Sequence, residues 1–115
     1  MNAEKEKNDN PLVKTPGVHK LTFSMTGGTS IRYTLSLPKA INSGKPVPFV
    51  VALHFGGPVS PWYGHGYLTA LPGPALQELD AIMVAPDCPT RGWTTPGAEK
   101  AVLELMDFIE SKYPV

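Results

Sequence analysis

The run Phe49-Val50-Val51-Ala52-Leu53, followed at once by His54, Phe55 and the paired glycines Gly56 and Gly57, constrains this chain more than any other feature. Five consecutive apolar residues without polar alternation suit a strand buried on both faces, the situation of a parallel strand under two layers of helix. Glycines at its exit let the backbone approach a ligand closely. A second apolar run, from Ala81 to Pro86, repeats the pattern and leads into Asp87 and Cys88. Two such strands predict a parallel pair joined by a crossover, and so an open α/β sheet with helices on its faces.

The flanking segments supply the remaining layers. Leu21, Phe23 and Met25, then Ile31, Tyr33, Leu35 and Leu37, alternate with polar residues about a Thr26-Gly27-Gly28-Thr29 turn. That period is the signature of a β-hairpin. Its other face, Thr22, Ser24, Arg32, Thr34 and Ser36, is polar, which suits an antiparallel edge. The stretch from Gly56 to Pro74 is dense in glycine, proline and aromatics and reads as a long loop, with a short helix expected over residues 75–79. The last helix is expected to begin with Thr95 as N-cap and Pro96 at its first position. Ala98, Ala101, Val102, Leu105, Met106 and Ile109 recur at helical spacing and form its apolar face. Residues 1–17 are polar, charged and interrupted by Pro11 and Pro16, and are expected to form a flexible tail ahead of a domain over 18–115.

Charge and cysteine usage narrow the function classes. Ten Lys and Arg balance ten Asp and Glu with no basic stripe, so nucleic acid is not an expected partner. Cys88 is the only cysteine, which excludes an intramolecular disulfide and leaves no zinc-ligand spacing; neither metal nor other cofactor is expected. The opening MNAEKEKNDN lacks the apolar centre of a signal peptide, and no stretch reaches bilayer-spanning length. Cytoplasmic residence away from the membrane is the expectation.

At Leu53-His54-Phe55-Gly56-Gly57 the chain resembles the α/β-hydrolases, whose oxyanion-hole loop follows the third strand with a motif such as HGGG. Here the motif reads HFGG, with Phe55 where the family commonly has its first glycine. The VAPDCP strand end and the Trp93 loop add to the likeness, which covers 18–115. It points to the esterase and predicted-peptidase branch, similar to feruloyl-esterase and polyester-depolymerase-like enzymes. The resemblance implies a fourth strand placed between the second and third. It also implies a serine hydrolase that cleaves small-molecule carboxylic esters by acyl transfer to serine and then to water, without a cofactor. The backbone N–H of Gly56, or of Phe55, is then the candidate oxyanion donor.

No G-x-S-x-G occurs in the chain, so no triad residue is expected in it. It reads as the N-terminal, incomplete portion of such a hydrolase, inactive by itself. Trp62, Tyr63 and Trp93 fall in loops leaving the C-terminal ends of the buried strands, where open α/β sheets place ligands, and are candidate substrate contacts. His54 is expected to shape its loop, not to act as a base, and Asp87 to cap neighbouring backbone N–H groups. The alternatives are a serine peptidase of the same superfamily and a non-catalytic binding or assembly module that self-associates through an open sheet edge.

Overall fold

The computed structural model describes residues 13–54, 61–90 and 92–115. Its strands are β1 Gly17–Ser24, β2 Ser30–Leu37, β3 Phe49–Val51 and β4 Ile82–Pro86, in one mixed sheet of order β1-β2-β4-β3. The hairpin pairs antiparallel with Leu21 opposite Tyr33, β2 pairs antiparallel with β4, and β3 runs parallel to β4 with Val50 opposite Met83. The fourth strand therefore lies between the second and third, as the family resemblance implies.

The sequence of β4 explains its central place. Every one of its residues is buried. Ile82 and Val84 join Leu35, Leu105 and Ile109 in the larger core, beneath the C-terminal helix Pro96–Lys112. Met83 and Ala85 point the other way, into a smaller cluster with Ala52 and with Leu68 of the helix Tyr63–Ala70. A strand between two helical layers has no polar side, which is why the run carries no alternation.

Thr95 caps the C-terminal helix as expected, its Oγ1 accepting the Ala98 N–H at 3.3 Å with Pro96 in the first turn. Ala98, Ala101, Leu105 and Ile109 are its buried stripe. On the same helix the Glu104 carboxylate accepts the Thr26 N–H at 3.0 Å and the Thr26 hydroxyl at 2.9 Å, tying the hairpin turn down. The backbone bond from Thr26, ahead of other causes, holds the Glu104 carboxyl below its ordinary pKa. At the start of the described chain, Val13 packs against the larger core and its carbonyl accepts the Tyr113 hydroxyl at 2.6 Å.

Three features differ from the sequence expectations. The strand β3 covers only Phe49–Val51 and is half-buried, where a strand over the run to Leu53, buried on both faces, was expected. Among the described residues it pairs with β4 alone. Pairing continues one residue further, through the Ala52 N–H to the Val84 carbonyl at 2.8 Å, and Leu53 is already exposed. Phe55 lies outside the described residues.

The stretch expected to be a loop up to Pro74 contains a helix, α1 Tyr63–Ala70, then a short α2 Pro72–Ala75 and a 3-10 turn Gln77–Leu79 in place of one helix over 75–79. Glycine content hid α1. Gly64 is needed there for packing, because a Cβ at this position would stand 2.5 Å from the Ala85 carbonyl oxygen of β4. Finally, Thr34 on the supposedly polar hairpin face is wholly buried, since α1 packs over β2 and covers that face. The C-terminal helix, Pro96–Lys112, is α3 below.

The two glycines of α1 separate propensity from packing. Gly66→Ala has open space and is expected to stabilise the chain by about 0.5–1 kcal/mol through helix propensity alone. Gly64→Ala gains the same propensity but must displace a backbone carbonyl, and is expected to destabilise by about 1–2 kcal/mol net. Urea unfolding of both variants measures the difference in sign.

Candidate functional site

The chemistry-bearing residues gather at the C-terminal ends of β3 and β4, where a parallel pair opens toward its loops. The chain leaves β4 at Asp87, whose carboxylate is buried. One oxygen accepts the Trp62 N–H at 2.6 Å and an ion pair from Arg32 Nε at 3.2 Å; the other accepts the Gly64 N–H at 2.8 Å. Trp62 and Gly64 stand at the start of α1, where backbone N–H groups have no partner within the helix. A strand end thus caps a helix that precedes it in the chain, with a negative charge at the positive pole.

Trp62 adopts the left-handed backbone conformation, φ 63, which costs a non-glycine residue about 1 kcal/mol or more. The short charge-assisted bond to Asp87 holds it there.

The next residue fastens the other segment. The Cys88 N–H donates to His54 Nε2 at 3.0 Å, so this nitrogen is the acceptor and the ring hydrogen belongs on Nδ1. His54 is buried, its ring stacked on Tyr63 with centroids 4.6 Å apart and planes 6° from parallel. The Trp93 ring lies 5.1 Å away at 58°, and its indole N–H donates to the His54 carbonyl at 2.9 Å. Trp93 is held in turn by its loop, where the Thr90 and Thr95 hydroxyls bond each other and the Gly92 carbonyl. Cys88 itself packs as a small buried thiol.

Two successive residues of the β4 exit therefore fix His54, at the end of the β3 segment, and Trp62, at the start of α1. Gly56 and Phe55, the candidate oxyanion donors, fall between them and lie outside the described residues. Of the candidate substrate contacts, Tyr63 and Trp93 meet on His54. Trp62 instead lies beside two cations, Lys20 Nζ at 5.7 Å and Arg32 Cζ at 6.0 Å from its ring centre.

Asp87 does cap backbone N–H groups, but those of a distant segment and not of its own loop. Arg32 was missed as a site residue, because alternation along β2 marks it only as one more polar side chain. His65 lies half-buried on α1, and His19 bonds the Thr15 carbonyl. A groove of about 490 Å³ lies near the start of β4, at the other end of the strand, lined by Pro16, Leu37, Lys39, Asp80 and Met83. None of the residues above lines it. Among the described residues no group of His, Cys, Asp and Glu could hold a metal ion, and no helix is long and apolar enough to cross a membrane.

No family model and no curated protein matches the sequence. Solved structures do. A ferulic acid esterase is similar at 26% identity and a TM-score of 0.62, over 85% of this chain and 45% of that one. A ferulic acid esterase of the anaerobic fungus Anaeromyces mucronatus is similar at 24% identity and a TM-score of 0.58, over 96% of this chain and 49% of that one. A thermostable esterase is similar at 22% identity and a TM-score of 0.57, over 85% of this chain and 31% of that one. The chain thus has part of the α/β-hydrolase fold of these esterases, and spans less than half the length of each.

The bonds of His54 define a structural role that stability can test. Removing the ring in His54→Ala strips the buried Cys88 N–H of its acceptor and takes away the surface on which Tyr63 stacks. A loss of about 2–4 kcal/mol in urea unfolding is expected. A change below about 0.5 kcal/mol, the range of ordinary surface positions, would contradict that role.

Proposed function

Taking the shared esterase fold as the premise, we propose that this chain is the N-terminal part of a serine hydrolase of carboxylic esters and supplies a backbone donor of its oxyanion hole. The observation that carries the reading is the anchoring of His54, the first residue of the HFGG motif, by the Cys88 N–H and the Trp93 indole at the open end of the sheet. Attack on an ester carbonyl gathers negative charge on its oxygen, and a donor stabilises that charge best when it need not reorganise. A rigidly held motif start serves this purpose. The serine, the acid and the catalytic histidine come from residues beyond this stretch, since the chain has no G-x-S-x-G and its buried His54 already accepts from Cys88. Esterases among the similar structures favour an ester over a peptide bond.

The reading is tested by expressing the 115-residue chain beside the longest open reading frame that contains it, and assaying both with p-nitrophenyl acetate. The longer protein is expected to hydrolyse the ester and the short chain not to. In the longer protein Gly56→Pro, which removes the proposed donor, should lower kcat by about 10²–10³ with little change in KM. An unchanged kcat, or a reading frame with no serine elbow after Val115, would overturn the proposal.

A further inference from the structure

We propose that Lys20, Arg32 and the indole of Trp62 form a binding site for a carboxylate carried on a flat, apolar ring. Lys20 on β1 is paired in register with Thr34, and Arg32 on β2 with Thr22, so the two cations are diagonal neighbours on the sheet face that carries α1. Both approach one indole, at 5.7 Å and 6.0 Å from its centre. Like charges drawn together at one ring create a positive pole that calls for an anion.

The chain supplies only part of that anion. Asp87 bonds Arg32 through Nε, but its carboxylate is 5% exposed and turned toward the Trp62 and Gly64 N–H groups. The guanidinium end of Arg32 remains outside, its side chain 45% exposed, and its two terminal nitrogens have no partner among the described residues. Lys20 has no carboxylate within ion-pair distance among the described residues. A guanidinium held by one nitrogen and open at its outer two has the fork that grips a carboxylate, while the ammonium adds charge beside it.

Trp62 makes the site selective for a ring. The bond to Asp87 holds its backbone and the two cations over the ring hold the indole, so little freedom remains to be lost when a second ring lies against it. The neighbouring Tyr63 stacks on His54, which places this platform beside the segment that follows β3. If the ester reading holds, the inference deepens it: the substrate bears a free carboxylate on its acyl or alcohol part, a step that rests on that reading.

The test is a nitrogen-15 NMR titration of the 115-residue chain with benzoate, and with benzyl alcohol as the uncharged control. The two indole N–H signals serve as probe and reference, Trp62 at the site and Trp93 bonded to the His54 carbonyl. Benzoate is expected to move the Trp62 signal saturably at millimolar concentration, with little movement of Trp93 and none caused by benzyl alcohol. Arg32 also braces Asp87, so Lys20→Gln carries the decision: it removes an exposed cation without touching that brace, and should weaken benzoate binding by about threefold to tenfold. A Trp62 signal that benzoate leaves in place, an equal response to benzyl alcohol, or undiminished affinity in Lys20→Gln would each overturn the proposal. None of these results bears on ester hydrolysis, which the p-nitrophenyl acetate assay decides separately.

Discussion

The buried carboxylate of Asp87 is the contact on which the arrangement at the open end of the sheet depends. Burying an unpaired carboxylate costs several kcal/mol, and Asp87 avoids this with two backbone N–H groups and the Arg32 guanidinium. The start of α1 is thereby set relative to β4, and the Arg32 side chain near the start of β2 is held beside it; the adjacent Cys88 N–H separately holds the end of the β3 segment. Loss of that one group would leave the left-handed Trp62 without its restraint and the Arg32 charge without its partner. The hydrophobic layers fix where β4 runs; Asp87 and Cys88 convert that position into the placement of polar groups.

This division between layers and polar contacts explains what the sequence could reveal. The unbroken run at Ala81–Pro86, the alternation from Leu21 to Leu37 and the Thr95-Pro96 helix start each report a local rule, and each element stands where the rule puts it. The order of the strands came from family likeness, because nothing within the apolar runs says which neighbour each will choose. Helix α1 escaped notice because its glycines, read locally, argue for a loop. Gly64 is there to let a helix touch the backbone of β4, a requirement visible only once the two are packed. Thr34 misled for a similar reason: α1 covers a face that alternation alone assigns to water.

The candidate site was legible as a place more than as a set of contacts. Loops at the C-terminal ends of parallel strands were the expected location, and Trp62, Tyr63 and Trp93 are all there. Their roles divide once partners are known. Tyr63 and Trp93 are committed to His54, whereas Trp62 faces the cations of the hairpin. Long-range pairs such as Arg32 with Asp87 leave no trace in local composition, since each residue alone resembles ordinary surface polarity or an ordinary turn.

Amide hydrogen exchange on Asp87→Asn tests the central claim most directly. Asparagine keeps the shape and one acceptor oxygen but loses the charge and the second acceptor. If Asp87 holds the site, the Trp62 and Gly64 amides should exchange at least about tenfold faster in the variant, while Leu35 and Val84 in the sheet keep their protection. Unchanged exchange at Trp62 and Gly64 would contradict the account, because the start of α1 would then be held by something other than this carboxylate.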